Sequence, residues 1–521
     1  MKATATPERS KPAEPGGMPP ETAEVQARDV EAGAAGGDAS QGADAEAAAW
    51  LSWPVQRRAR VLAGLRHALA ADASGLVDAL GAVRSRRDQA VSLAAEVLPL
   101  AEACGWLGRE AARVLGPRRT GARGRPWWLW GTRGVVSREA FGTVLVVGPG
   151  NFPLFLPGVQ VIQALAAGNR VVVKPAPGCG LVMKRLAAML YERGVPRGAV
   201  EVMGEAVEGL AAVWPRVDLV VLTGSEATGR VVRRECAERG LPCVMELSGC
   251  DAVWVLPGAD VELAVRCVAF GLMINGSATC IAPRRVLVPG ELHDRFVFPL
   301  LDRLLSEGEV VDVGAAAEAK ARDLVERAIA DGARLRTGSV DEVFLGAGRM
   351  RAAVLTHLRE DSPILHEDVF APVLTVVSMR DPEAGLALDR RGGFGLGASV
   401  FGPTAAAEAW AGRLGVGSVV VNDMIVPTAD PRLPFGGRGR SGFGATRGPE
   451  GLRAMTRVKA VSVRRGGVRP HLRATDGHTA GLLIELMRVS HARGWAARLR
   501  AGWGLLKLSR RQSADQEAKK L

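Results

Sequence analysis

The sequence predicts an α/β protein of more than one domain, built on parallel sheets. Three observations carry this. A chain of 521 residues is too long for one compact core. From residue 142 onward, short β-branched runs recur with helical segments between them, the pattern of strands covered on both faces. Hydrophobic content of 47% with 23% charged residues describes a globular chain with a sizeable core.

The elements follow in order. Residues 1–45 are rich in Ala, Gly, Glu and Pro and bury too little to offset ordering entropy, so they are expected to be disordered. From Ala47 a helical pattern begins, with Val61, Leu62, Leu65, Leu69 and Leu76 at three-to-four spacing. A second helical stretch covers 89–114. The segment 117–134, with Trp127, Trp128 and Trp130, breaks the pattern and reads as an interface cover or a hairpin. "GTVLVVGPG" (142–150), "RVVVKPAP" (170–177), "AVEVMG" (199–204) and "VDLVVLTGS" (217–225) read as buried strands. Helical segments at 158–167, 181–193 and 206–213 separate them. From 250 to 440 the alternation resumes with different spacing. "CIAPRRVLV", "VLTVVSM" and "GSVVVND" are its expected strands, in a second α/β domain.

Composition excludes several functions. The seven cysteines form no CxxC, so neither a metal site nor a disulfide framework is expected. The first residues lack the apolar core of a signal peptide, and no unbroken apolar run reaches the roughly 20 residues of a membrane span. A reduced, cytoplasmic compartment is the expectation. The net charge of +12 is concentrated: residues 464–521 hold thirteen Lys/Arg against four Asp/Glu. The body is therefore near neutral, which argues against a nucleic-acid-binding protein.

Three stretches suggest chemistry. "TGSEATG" (223–229) follows a strand and opens a helix, and Gly224 and Gly229 allow a phosphate close to free helix amides. It is neither a P-loop nor GxGxxG. In "MELSGCDAVWVL" (245–256), Glu246 reads as a carboxylate with a backbone partner or as a desolvated general base. Cys280, in "MINGSATCIAPRR", reads as an inert core thiol or as a nucleophile.

In chain order the sequence carries "GPGNFP", "VVVKPAP", "LTGSEATG", "MELSG", "NGSATCIAPRR", "HEDVFAPV", "VVVND" and "PFGGRGRSGFG". This series resembles the aldehyde dehydrogenase superfamily, over residues 47–462. The resemblance implies a Rossmann-like cofactor domain (46–116 and 138–248) and a second α/β catalytic domain (249–446). It also implies a small oligomerisation sheet from arms at 117–137 and 447–465, in a homodimer or a tetramer. It implies NAD(P)-dependent oxidation of an aldehyde to a carboxylic acid. Cys280 would attack the carbonyl, since an aldehyde gives up hydride readily only after a thiolate has made it tetrahedral. The Asn151 amide and the Cys280 N–H would hold the oxyanion, and Glu246 would activate the thiol, the hydrolytic water or both. Lys174 would bind the cofactor ribose, and Gly224, Ser225 and Gly229 would lie at the pyrophosphate. Asp368 would reach the nicotinamide ribose, and Phe370 would pack near the ring.

The departures matter. Gly150 stands where the family usually has Trp, which removes a wall and would widen the pocket or alter cofactor packing. Ser248 replaces Gly, Ser277-Ala278 replaces Gly-Gln, and Asp368 replaces a longer Glu. Pro177 stands where NAD-preferring members place a Glu that binds the ribose hydroxyls and repels a 2′-phosphate, so NAD and NADP both stay open. Retention of Glu246 favours hydrolysis over transfer to coenzyme A. The alternatives are a CoA-linked acyl reductase and a catalytically silent scaffold.

Beyond the last motif, residues 479–511 read as one basic amphipathic helix. Leu482, Leu486, Val489, Ala496, Leu499, Trp503 and Leu506 share a stripe, with Arg488, Arg498, Arg500 and Lys507 interspersed and Trp495 beside it. Such a helix suits an anionic membrane surface, or packs on its own domain or a partner subunit. Members that oxidise fatty aldehydes carry C-terminal membrane tails, so the resemblance adds a long-chain or lipophilic substrate to the expectations.

Overall fold

The computed structural model describes residues 48–81, 87–466, 469–472 and 475–518. The segment 1–45, expected to be disordered, lies outside them. The chain divides into two compact units: Met1–Arg118 with Val136–Ala460, and Arg119–Val135 with Val461–Leu521.

The first unit opens with helices α1 (Val55–Ala71) and α2 (Leu98–Leu115), which pack on each other. Leu62, Leu65 and Leu69 of α1 and Leu100, Cys104 and Leu107 of α2 are buried, as their spacing predicts. Five parallel strands follow: β1 (Thr143–Val147), β2 (Arg170–Lys174), β3 (Val200–Val202), β4 (Leu219–Thr223) and β5 (Cys243–Glu246). Their spatial order is β3-β2-β1-β4-β5, and Gly442–Phe443 adds an antiparallel strand beside β5. Both faces are covered, so β1 and β4 are almost wholly apolar. Helices α3 (Phe155–Ala167), α4 (Gly180–Glu192) and α5 (Glu226–Arg239) connect them. The chain turns one way after β1 and the other way after β4. Between their carboxyl ends a crevice opens, the usual ligand position in such sheets.

The second sheet orders seven strands. They are β6 (Asp251–Val255), β7 (Pro283–Pro289), β8 (Arg334–Leu335), β9 (Ala353–Thr356), β10 (Val373–Met379), β11 (Gly397–Phe401) and β12 (Ser418–Val421). The order is β8-β9-β10-β7-β6-β11-β12, parallel except at β8. Helix α6 (Val261–Met273) follows β6 and delivers the chain to the Cys280 loop. A separate three-stranded sheet orders Arg118–Thr120, Thr132–Ala140 and Thr456–Arg464.

The tail corrects the sequence reading. It forms two helices, α7 (Thr479–His491) and α8 (Trp495–Ala518), not one. The break falls at Ala492–Gly494, where Gly494 takes φ 88°. Gly481 faces Leu508 and Gly504 faces Glu485, so the two helices run antiparallel. The expected stripe is thereby divided. Leu482, Leu486 and Val489 are half-buried. Trp495, Leu499, Trp503 and Leu506 lie on one exposed face of α8, opposite the buried Ala501.

Candidate active site

A cavity of about 760 Å³ opens at the carboxyl ends of β1 and β4. It brings together Asn151, Glu246 and Cys280, with Gly224, Ser225, Asp368 and Phe370. Lys174 and Gly229 do not line it. Most of the remaining wall is apolar, including Leu156, Phe270, Ile274, Val426 and Phe435.

The nucleophile sits on a strained loop. Asn275, Gly276 and Ser277 take φ of 56°, 58° and 62°, in the left-handed region. For a non-glycine residue this costs on the order of 1–3 kcal/mol. Ser277 is the position where the family pattern has Gly, and buried Arg284 offsets its strain. The guanidinium donates from Nη1 to Ser277 Oγ at 2.8 Å and from Nη2 to Ser277 O at 3.0 Å. It also donates to Ala371 O at 2.8 Å. Asn275 pins this loop to the one bearing Asn151: its Nδ2 donates to Asn151 O at 3.1 Å and to Ala278 O at 3.2 Å. Asn151 Oδ1 accepts from Phe152 N at 2.9 Å, which leaves its amide NH₂ as the group to serve the cavity. The buried carboxylate of Glu96 holds the next turn, accepting from Leu154 N at 3.1 Å and Phe155 N at 2.7 Å, and pairs with Arg87.

Glu246 ends β5 and is 3% exposed. Both oxygens are bonded: Thr446 Oγ1 donates to Oε1, and Thr223 Oγ1 to Oε2 at 3.1 Å. Gln160 Nε2 in turn donates to Thr223 Oγ1 at 2.8 Å. Burial pushes the Glu246 carboxyl above the usual carboxylate range, opposed by nearby Arg447 and the two threonines. The Cys280 thiol is pushed up to about 12, by burial first and then by the charge of Glu246. Among the described residues, no hydrogen bond joins Cys280 to Glu246. Gly249 lets their two segments meet: a Cβ there would stand 2.5 Å from the Cys280 carbonyl oxygen.

On the cofactor side, Ser225 caps α5, its Oγ accepting from Thr228 N at 3.1 Å. Gly224 and Ser225 therefore present the start of a helix to the cavity, where a pyrophosphate is favoured. Gly229 has a packing role. A Cβ there would meet Leu247 Cδ1 at 2.6 Å, so this glycine packs α5 onto the segment after β5 and does not reach the cavity. Lys174 is buried at the end of β2, and its carbonyl accepts from Gly148 N at 3.0 Å. Ser248 lies on the same cavity wall as Asp368 and holds its carboxyl lower than burial alone would. Its Oδ1 is buried without a partner among the described residues. An orphaned acceptor on the cavity wall fits a ribose hydroxyl, and the helix start at Ser225 fits a phosphate, so the residues present suit a dinucleotide.

Residues 18–461 match the aldehyde dehydrogenase family. The chain belongs to the aldehyde dehydrogenase family. It is 29% identical to 4,4′-diapolycopene aldehyde oxidase of a Methylomonas species, over 77% of each chain. It is 32% identical to geranial dehydrogenase of Castellaniella defragrans, over 64% of this chain and 71% of that one. The structure of a Mycobacterium tuberculosis aldehyde dehydrogenase complexed with NAD+ superposes with a TM-score of 0.72 at 26% identity, covering 81% of this chain and 88% of that one. This aldehyde dehydrogenase thus oxidises an aldehyde to its carboxylic acid, with NAD or NADP as the cofactor.

Sequence reasoning missed four residues that organise the dehydrogenase site: Asn275, Arg284, Thr446 and Arg447. Arg284 carried a signal, an arginine doublet opening a β-branched strand, since a charge in a buried strand needs an internal partner. Asn275 stood inside the quoted motif without a role. Arg447 is 5% exposed, lines the cavity, and lies over the rings of Phe435 and Phe155 at 4.2 and 5.5 Å. Nothing in its local sequence marks it, because the fold brings it to Glu246 from 201 positions away.

Proposed function

We propose that this dehydrogenase oxidises apolar, long-chain aldehydes through a thioester on Cys280. The observation that carries the reading is the large apolar cavity ending at a half-buried cysteine and a buried asparagine and glutamate. The missing Trp side chain at Gly150 leaves room, and two relatives, 4,4′-diapolycopene aldehyde oxidase and geranial dehydrogenase, point the same way.

Cys280 gives up its thiol proton to solvent water as Sγ attacks the carbonyl carbon, and the carbonyl electron pair becomes an oxyanion held by Asn151 Nδ2 and the Cys280 N–H. A dinucleotide at Lys174, Gly224, Ser225, Asp368 and Phe370 supplies the hydride acceptor when bound. Glu246 then takes a proton from a water, whose oxygen attacks the thioester carbon. The C–S bond breaks, the acid leaves, and the thiol regains its proton. Among the described residues no hydrogen bond joins this carboxylate to Cys280, and its charge raises the thiol, which favours the water over the thiol as its partner.

The test is turnover of aldehydes of increasing chain length with either cofactor, with and without coenzyme A. CoA-independent reduction that improves with chain length and vanishes in Cys280→Ala is expected. Preference for short or anionic aldehydes would reverse the substrate reading.

We further propose a cytoplasmic homodimer that touches membranes. Thr456–Arg464 is an edge strand with Val458, Val461 and Val463 exposed, which suits pairing with a second copy. The exposed stripe of α8, flanked by Arg498, Arg500 and Lys507, suits an anionic bilayer surface.

A further inference from the structure

Lys174 ends β2, and the turn that follows passes through Ala176 and Pro177 on the cavity wall before α4 begins. The first amides of a helix attract anions. Here the chain fills that position itself. Glu205 Oε2 accepts from Gly178 N and Oε1 from Gly180 N, each at 2.7 Å. Those two bonds hold its carboxyl below the usual carboxylate range, so it is ionised at neutral pH. Among the charges acting on Lys174, Glu205 comes first and Glu208 second. A carboxylate beside Lys174 has the chemistry that Pro177 lacks: it accepts from hydroxyls and repels phosphate.

We propose that Glu205 sets the cofactor choice: by occupying the N-terminal amides of α4 beside Lys174, it disfavours a ribose 2′-phosphate and makes the enzyme select NAD over NADP. This rests on the reading above that Lys174 binds the cofactor ribose, taken here as the ribose of the adenosine half. A phosphate monoester carries about 1.5 to 2 negative charges near neutral pH. It would need the amides that Glu205 already engages, and it would meet the charges of Glu205 and Glu208 that act on Lys174. The carboxylate missing at position 177 is thus supplied from the segment after β3.

The experiment is isothermal titration of NAD and of NADP into the full-length enzyme, with no aldehyde present. The wild type is expected to bind NAD at least tenfold more tightly than NADP. Glu205→Ala is expected to cut that ratio at least tenfold, chiefly by tightening NADP. Glu205→Gln, which keeps the shape and loses the charge, is expected to shift it the same way. A wild-type preference below tenfold overturns the proposal whether or not the variants fold. So does a ratio that stays within twofold in a folded Glu205 variant. Lys174→Ala is expected to weaken both cofactors. If it weakens neither while the Glu205 variants still move the ratio, the ribose placement fails and the role of Glu205 stands.

Discussion

Labelling of Cys280 by iodoacetamide tests the electrostatics of the site directly. Burial and the charges of Glu246, Asp251 and Asp368 raise the thiol to about 12, with Arg447 the opposing cation. At pH 8 such a thiol is about one part in ten thousand thiolate, against roughly a quarter for a free thiol of pKa about 8.5. The more basic thiolate is the better nucleophile, by roughly thirtyfold at a Brønsted slope of about 0.4–0.5. Alkylation of Cys280 in the free enzyme should therefore run on the order of a hundredfold slower than that of glutathione at pH 8, rising about tenfold per pH unit. Peptide mass spectrometry against time gives the rate. Glu246→Gln should speed the labelling, because it removes the largest charge that raises the thiol. Arg447→Met should slow it. A rate equal to glutathione's would refute the electrostatic argument. Slower labelling in Glu246→Gln would refute the assignment of this carboxylate to the water, because it would mean that Glu246 activates the thiol.

Three further outcomes are expected. Arg284→Met leaves Ser277 O, Ser277 Oγ and Ala371 O without their donor, at about 1–3 kcal/mol for each orphaned acceptor, so urea denaturation should show a loss of at least about 3 kcal/mol. Glu246 has a folded-state pKa above its unfolded one, so the unfolded chain releases this proton first and stability falls as pH rises between the two values. Glu246→Gln should therefore melt higher than wild type at pH 7.5 while thioester hydrolysis stalls, and a lower melting temperature would count against the buried-base reading. Full-length enzyme should float with vesicles rich in phosphatidylserine and sink with neutral ones, whereas Trp495→Ser/Trp503→Ser should sink with both; flotation unchanged by the double substitution would remove α8 from the membrane.

How much of this was legible in the sequence depended on how local the cause was. The strands β1, β2 and β4 were readable because burial on both faces makes a continuous apolar run. Asn151, Glu246 and Cys280 were singled out by the ordered series of motifs that resembles the family, not by their own neighbours, and the fold brings all three to one cavity. Gly229 was ambiguous because a glycine at a helix start can admit a phosphate or a neighbouring segment, and its approach to Leu247 is a packing use that no local spacing encodes. The tail was misread because Gly494 interrupts a periodicity that runs on through it, so a stripe drawn for one helix was divided between two faces of a hairpin. Thr446, Arg447 and Glu205 were invisible for a different reason: each acts on a residue far along the chain, and no spacing encodes that.

Those distant partners give the departures from the family pattern a common physical logic. Ser277 adopts a left-handed conformation that favours glycine, and Arg284 bonds both its hydroxyl and its carbonyl. Asp368 is a methylene short, and Ser248, itself a departure, lines the same cavity and lowers the Asp368 carboxyl against the push of burial. Pro177 lacks a carboxylate, and Glu205 brings one to the same turn. In each case the altered side chain would cost strain or a lost interaction by itself, and a second residue on another element supplies the missing group. The pairs are therefore expected to be coupled. Ser248→Gly should weaken cofactor binding in the presence of Asp368, and the same change should matter less in Asp368→Ala. Additive losses in that double-mutant cycle would mean that the two substitutions sit side by side without compensating, and the argument that this site was retuned in pairs would fail at its most compact example.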